Sequence, residues 1–166
     1  MKGLKDIILL GDSRLYKVCE PLTKNDAAII DTMVADLHNA MMEFRAKYKA
    51  GRAIAAPQLG YMKRLIYMNI QGKATVFINP EIVYQSEEMM ELWDDCMSLP
   101  NLLVRLKRHR TIHIRFYDLQ WTRQELELTD DLSELLQHEY DHLDGILCTM
   151  RAIDERSFKW KPTPQA

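Results

Sequence analysis

The 166-residue sequence lacks any long apolar run and any excess of charge of one sign. Its first apolar stretch, Ile7 to Leu10, stops at Gly11-Asp12-Ser13, too short for a signal peptide or a membrane span. Cytoplasmic residence without a membrane partner is therefore expected. Twenty-two Lys and Arg against 24 Asp and Glu leave a net charge of −2, which provides no field to attract a phosphate backbone. No specific DNA binding is expected. Cysteine is scarce: Cys19, Cys96 and Cys148 are an odd, widely spaced set, which excludes a disulfide framework and leaves a thiolate free for chemistry.

The composition is that of a globular protein, 47% hydrophobic and 28% charged. The length predicts one domain over residues 1–158, followed by a loosely held tail, 159–166, with proline and charge but no periodicity. Ile30, Met33, Val34, Leu37, Met41, Phe44 and Tyr48 recur at steps of three and four, predicting an amphipathic helix over 23–48 that starts at Thr23-x-x-Asp26. Leu65–Ile70 and Thr75–Asn79 predict a hairpin around Gln71-Gly72, with Asn79-Pro80 breaking its second strand and residues 81–85 as a candidate continuation. Thr111–Tyr117 alternates strictly, and Gln124–Leu128 alternates weakly. Thr129 and Asp130 offer caps for a second helix ending at Gly145. The expected class is α+β: short, mostly antiparallel strands around a central metal-binding helix, with an amphipathic helix near the N-terminus.

The chemistry concentrates in His138-Glu139-Tyr140-Asp141-His142. Residues four apart share a helical face, so both imidazoles reach one metal ion, and Glu139, one step round, faces a water activated by it. A catalytic site of this kind needs a third protein ligand. Cys148 follows Gly145 at the spacing of a metzincin-type turn, and Cys96 lies in the polar segment Trp93–Pro100 between strands. Spacing leaves the choice open between these two thiols.

Three segments carry a resemblance. Gly51-Arg52-Ala53-Ile54-Ala55-Ala56-Pro57-Gln58, Asp94-Asp95-Cys96-Met97-Ser98 and Gln137-His138-Glu139 through Gly145 resemble, in this order and at these separations, the three motifs of the peptide deformylases. The resemblance covers about residues 4 to 150. It implies a metal-dependent amidohydrolase that removes the N-formyl group from formyl-methionine on nascent proteins. By the same resemblance, Cys96, His138 and His142 bind one divalent ion per chain, Fe²⁺ in the cell with Zn²⁺ or Ni²⁺ as workable replacements. Glu139 is the general base and then acid, and Gln58 with the backbone N–H of Met97 holds the formyl oxygen. The implied partners are N-formylated nascent peptides, with a transient ribosome contact through the basic run Arg105–Arg110, otherwise the solvated edge of a strand with Arg108 structural.

The chain departs from the family pattern at Ala53 and Ile54 in the first motif and at Asp94 and Asp95 in the second. Asp131 and Glu134 stand where the family carries apolar residues early in the metal-binding helix. Together with Arg52 and Leu135, these are the positions expected to meet substrate. Asp131 and Glu134 either face water on an amphipathic helix or shape a pocket for a polar or cationic group, which would direct the hydrolysis to another N-formyl or N-acyl compound. A catalytically silent metal- or peptide-binding relative is the reading from a different class.

Overall fold

A computed structural model describes residues 1–162. In chain order the elements are α1 (Ala27–Tyr48), β1 (Ala53–Ala55), β2 (Leu65–Ile70), β3 (Lys73–Gln85), β4 (Met89–Cys96), β5 (Leu99–His109), β6 (Thr111–Tyr117), β7 (Arg123–Thr129), α2 (Asp130–Leu143) and β8 (Phe158–Trp160). The strands form two antiparallel sheets, one in the order β1-β2-β3-β6-β7 and one in the order β4-β5-β8.

The larger sheet is covered by α1 on one face and α2 on the other. On β2 this is the period of two at work: Leu65 and Tyr67 join the cluster under α1, while Ile66 and Met68 join the cluster under α2. The stripe read from the sequence places Ile30, Met33, Leu37, Met41 and Phe44 of α1 in the first cluster, with Val34 and Tyr48 packed at its margin. Each such side chain contributes about 1.5–3 kcal/mol by leaving water. At the start of this helix, Asp26 Oδ2 accepts hydrogen bonds from the Thr23 N–H and hydroxyl, at 2.7 and 2.9 Å.

Four expectations are corrected. Asn79-Pro80 does not end β3. Asn79 takes a left-handed backbone (φ 47°), the register shifts between Ile78 and Glu81, and the strand runs on to Gln85. Trp93–Pro100 is not a loop but the end of β4 and the start of β5, joined by a tight turn at Met97-Ser98. The basic run is a solvated strand edge only in part: β8 pairs with Leu102–Val104 and stops short of it, β4 pairs along its other side, and Lys107 is exposed. Arg105 and Arg110 are ion-paired to Glu91, Asp154, Glu88 and Asp130, and Arg108 is buried. Lys159 and Trp160, expected in a loose tail, pair with Leu102 and Leu103, and the Lys161 N–H donates to Asn101 O at 2.7 Å. The rest of that expected tail, residues 163–166, lies outside the described residues.

Helix α2 is held at both ends. Thr129 occupies the position before α2 but makes no capping hydrogen bond with its side chain. The Gln137 amide instead clasps β5, accepting from His109 N–H at 3.0 Å and donating to His109 O at 2.8 Å, and the Ser133 hydroxyl donates to the same carbonyl. Beyond the helix, Gly145 has φ +71°, and a Cβ there would collide with the Tyr16 carbonyl. Glycine is what lets the N-terminal segment dock against the end of α2.

Candidate metal centre

The structure brings Cys96 to the two histidines. Ligand atoms of Cys96, His138 and His142 lie within 4.8 Å of one another, and all three residues are buried. Cys96 Sγ is 3.3 Å from His142 Nε2, and the two imidazole rings stand edge to face with centroids 5.0 Å apart. The helical spacing delivers the histidines, and the β4–β5 hairpin delivers the thiol. Cys148 is not in this group, although it packs in the same small cluster as Cys96, with Leu99, Val104 and Leu106; burial pushes its thiol up to about 12. Burial also pushes the Cys19 thiol up to about 11. Neither is a thiolate at neutral pH.

A chain of alternating charge supports the cluster. Asp94 Oδ2 accepts from His138 Nδ1 at 2.9 Å and from Arg108 Nη2 at 2.9 Å. Arg108 Nη1 donates to Asp141 Oδ2, which also takes Arg151 Nε at 2.6 Å. Side-chain exposure is 3% for Arg108 and 4% for Asp94, so neither charge could persist without the other. Burial alone would raise the Asp94 carboxyl, but the His138 and Arg108 cations outweigh it and hold the group at about 2. Burial alone would also deprotonate His138, yet Asp94 and Cys96 favour its charged form and lift it well above the ordinary value. Burial and the His138 charge push His142 the other way, well below it. Asp94 thus fixes a proton on His138 Nδ1 and leaves Nε2 to face the cluster, an arrangement that orients metal-ligating histidines. Asp141 and Arg151 were not anticipated from the sequence. Asp141 lies within the histidine motif, but its partners come from other elements.

The residues fit a divalent ion. A thiol and two imidazoles are a donor set suited to iron or zinc. Beside them Glu139 Oε2 and His142 Nδ1 are buried without a hydrogen-bond partner. Burial, with Asp94 and Glu134 nearby, pushes the Glu139 carboxyl up to about 7 despite the opposing His138 charge. Gln58, in the turn after β1, is buried. Its Oε1 accepts from Ala55 N–H at 2.9 Å, and its Nε2 lies 3.1 Å from Ser98 Oγ and 3.6 Å from Cys96 Sγ.

A cavity of about 520 Å³ opens over the cluster, and Cys96, Met97, His138 and Glu139 line it. Of the positions expected to meet substrate, Arg52, Ala53, Asp94, Asp95, Glu134 and Leu135 also line it. Ile54 does not: it is buried in the cluster under α1. Nor does Asp131, whose side chain is 73% exposed, although it is tied to Arg52 at 3.0 Å. Of the two readings for the acidic pair, solvent claims Asp131, while Glu134 faces the cavity with Arg52 Nη2 at 2.9 Å.

The polypeptide deformylase family model matches residues 4–158. The chain is 36% identical over 160 residues to a peptide deformylase of Salinibacter ruber, covering 86% of this chain and 77% of that one. It superposes on the crystal structure of peptide deformylase from Thermotoga maritima with a TM-score of 0.78 at 30% identity, covering 89% and 97% of the two chains. A Met-Ala-Ser-bound class I type b peptide deformylase from Acinetobacter baumannii gives 0.76 at 26% identity, covering 87% and 96%.

Proposed function

The chain belongs to the polypeptide deformylase family, and on that premise we propose how its own residues carry out the reaction. It is a metal-dependent amidohydrolase that removes the N-formyl group from formyl-methionine at the N-terminus of nascent proteins. The observation that carries the residue assignment is the buried Cys96–His138–His142 group with an unpartnered Glu139 oxygen beside it. When bound there, a divalent ion supplies a Lewis acid and lowers the pKa of water toward neutrality.

Glu139 takes the proton of the attacking water as its oxygen bonds to the formyl carbon. The same carboxyl then gives a proton to the amide nitrogen as the C–N bond breaks, releasing formate and a free α-amine. Gln58 Nε2 and the Met97 N–H donate to the formyl oxygen as negative charge grows on it, and donors held in place this way act without reorganising. The Oε1–Ala55 hydrogen bond fixes Nε2 as the end of the Gln58 amide that faces Cys96 and Ser98.

Fe²⁺ is the metal of our reading, with Zn²⁺ or Ni²⁺ able to replace it, because a thiolate with two imidazoles accepts all three and availability selects among them. A cytoplasmic location and a transient ribosome contact follow from the substrate, whose N-terminus emerges there. No helix among the described residues is long and apolar enough to cross a membrane. The test is formate release from formyl-Met-Ala-Ser by protein prepared with Fe²⁺ under anaerobic conditions. Glu139→Gln should lose about 10²–10⁴-fold in kcat while keeping its metal. A metal-loaded wild-type protein that releases no formate, or a Glu139→Gln variant as active as wild type, refutes the assignment.

A further inference from the structure

Building on the deformylase reading, we propose that Glu134, held by Arg52, makes the cavity a site for a formylated residue whose side chain ends in an N–H donor, an amide or an ammonium. Such a side chain is accepted at least as well as methionine.

The placement follows from helix geometry. Glu134 precedes His138 by four residues, so it sits on the same face of α2, about 6 Å further along the axis. The α-carbon of a formylated residue is two bonds from the formyl carbon, and a side chain of three or four atoms spans the remaining turn. Leu135 and Met97 offer apolar surface along the way, and Arg52 and Glu134 stand at the end.

The chemistry follows from which groups are already committed. Arg52 gives Nη2 to Glu134 Oε1 and Nη1 to Asp131 Oδ2, so the cation that pairs with Glu134 is shared with a second carboxylate, the exposed Asp131. The Glu134 side chain is 17% exposed, and among the described residues nothing donates to its Oε2. The other charges around the cavity are engaged. Asp94 serves His138 and Arg108, Asp95 holds Lys161, Arg45 donates to the carbonyls of Gly51 and Asn69, and Lys49 Nζ donates to the Ala46 carbonyl. A methionine side chain entering this space would displace water from Oε2 and return no donor. A carboxamide or ammonium would supply one, and an acidic side chain would be repelled. Sites that hydrogen-bond a substrate group discriminate strongly because their own polar atoms are stranded by the analogue that lacks it.

The experiment measures kcat/KM for formate release by metal-loaded protein on formyl-Met-Ala-Ser and on the same peptide with Gln, Lys or Glu in place of Met. The Gln/Met and Lys/Met ratios should be one or more, and the Glu peptide should be the poorest. Glu134→Leu should lower both ratios by about tenfold or more. Glu134→Gln, which keeps the volume and an acceptor oxygen, should lower Lys/Gln while metal content stays at the wild-type level. Wild-type ratios below one overturn the proposal. So does a fall of less than tenfold in Glu134→Leu or, should that variant not fold, an unchanged Lys/Gln ratio in Glu134→Gln. Turnover of the methionine peptide alone overturns this inference and leaves the deformylase reading standing. No formate from any peptide overturns that reading itself.

Discussion

Replacing Asp94 with asparagine removes one charge and almost no volume, and it separates metal positioning from simple stability. Asp94 Oδ2 holds both His138 Nδ1 and Arg108 Nη2 at 2.9 Å with 4% of the side chain exposed. The asparagine oxygen can still accept both hydrogen bonds, so what is lost is the anion. Removing an outer partner of a metal-binding histidine costs about 10–100-fold in metal affinity, or about 1.4–2.7 kcal/mol. Removing one member of a buried ion pair costs about 3–5 kcal/mol of stability, and the retained acceptor places Asp94→Asn toward the lower end. Asp141→Asn is the matched control, because it strips Arg108 of its other carboxylate without touching His138. Chelator competition would measure metal affinity, and urea denaturation of the metal-free proteins would measure stability. Both variants should be destabilised, and only Asp94→Asn should lose metal affinity tenfold or more. Equal metal affinity in Asp94→Asn and wild type, or an equal loss in Asp141→Asn, refutes the orienting role given to Asp94.

Further outcomes are expected. Cys96→Ser should strip the metal, as read by elemental analysis after gel filtration, whereas Cys148→Ser should keep it. The reverse result would move the third ligand to Cys148. Gly145→Ala adds a Cβ at φ +71° against the Tyr16 carbonyl and should lower stability by more than about 1 kcal/mol, visible as a lower thermal midpoint. Burial chiefly, with the Asp94 charge nearby, raises Glu134 from the ordinary 4.5 to about 7 in the fold. The native state therefore holds this proton where the unfolded chain has released it. That stabilisation is complete below about pH 4.5 and is lost as pH rises through about 7. Glu134→Gln in metal-free protein should consequently compare better with wild type at pH 8 than at pH 5, and a difference independent of pH contradicts the shift.

Much of the scaffold was legible because its signals are local. The stripe Ile30 to Phe44 marks α1, the alternation Thr111–Tyr117 coincides with β6, and the histidines four apart define the face of α2. β4 and β5 were not legible as a hairpin, since Trp93–Pro100 read as a polar segment between strands and the basic run only as the solvated edge of one. The inward position at Arg108 is charged, and it is buried only because Asp94 from β4 and Asp141 from α2 meet it there. A sequence window cannot see partners 14 and 33 residues away. The same holds for Glu134, which is indistinguishable from Asp131 on a helical wheel until Arg52, far along the chain, pairs with both and the cavity forms beside only one.

By itself the sequence determined two imidazoles and a carboxylate on one helical turn, because 3.6 residues per turn is a property of the backbone alone. It also carried the three motifs by which the chain resembles the deformylases. Only the tertiary structure decided which thiol completes the cluster. Both cysteines are compatible with the helix, and the choice depends on a hairpin turning at Met97-Ser98 and on a buried Arg108 that needs carboxylates from two separate elements. Those are contacts between distant parts of the chain, and their energies exist only once the sheets and helices have packed.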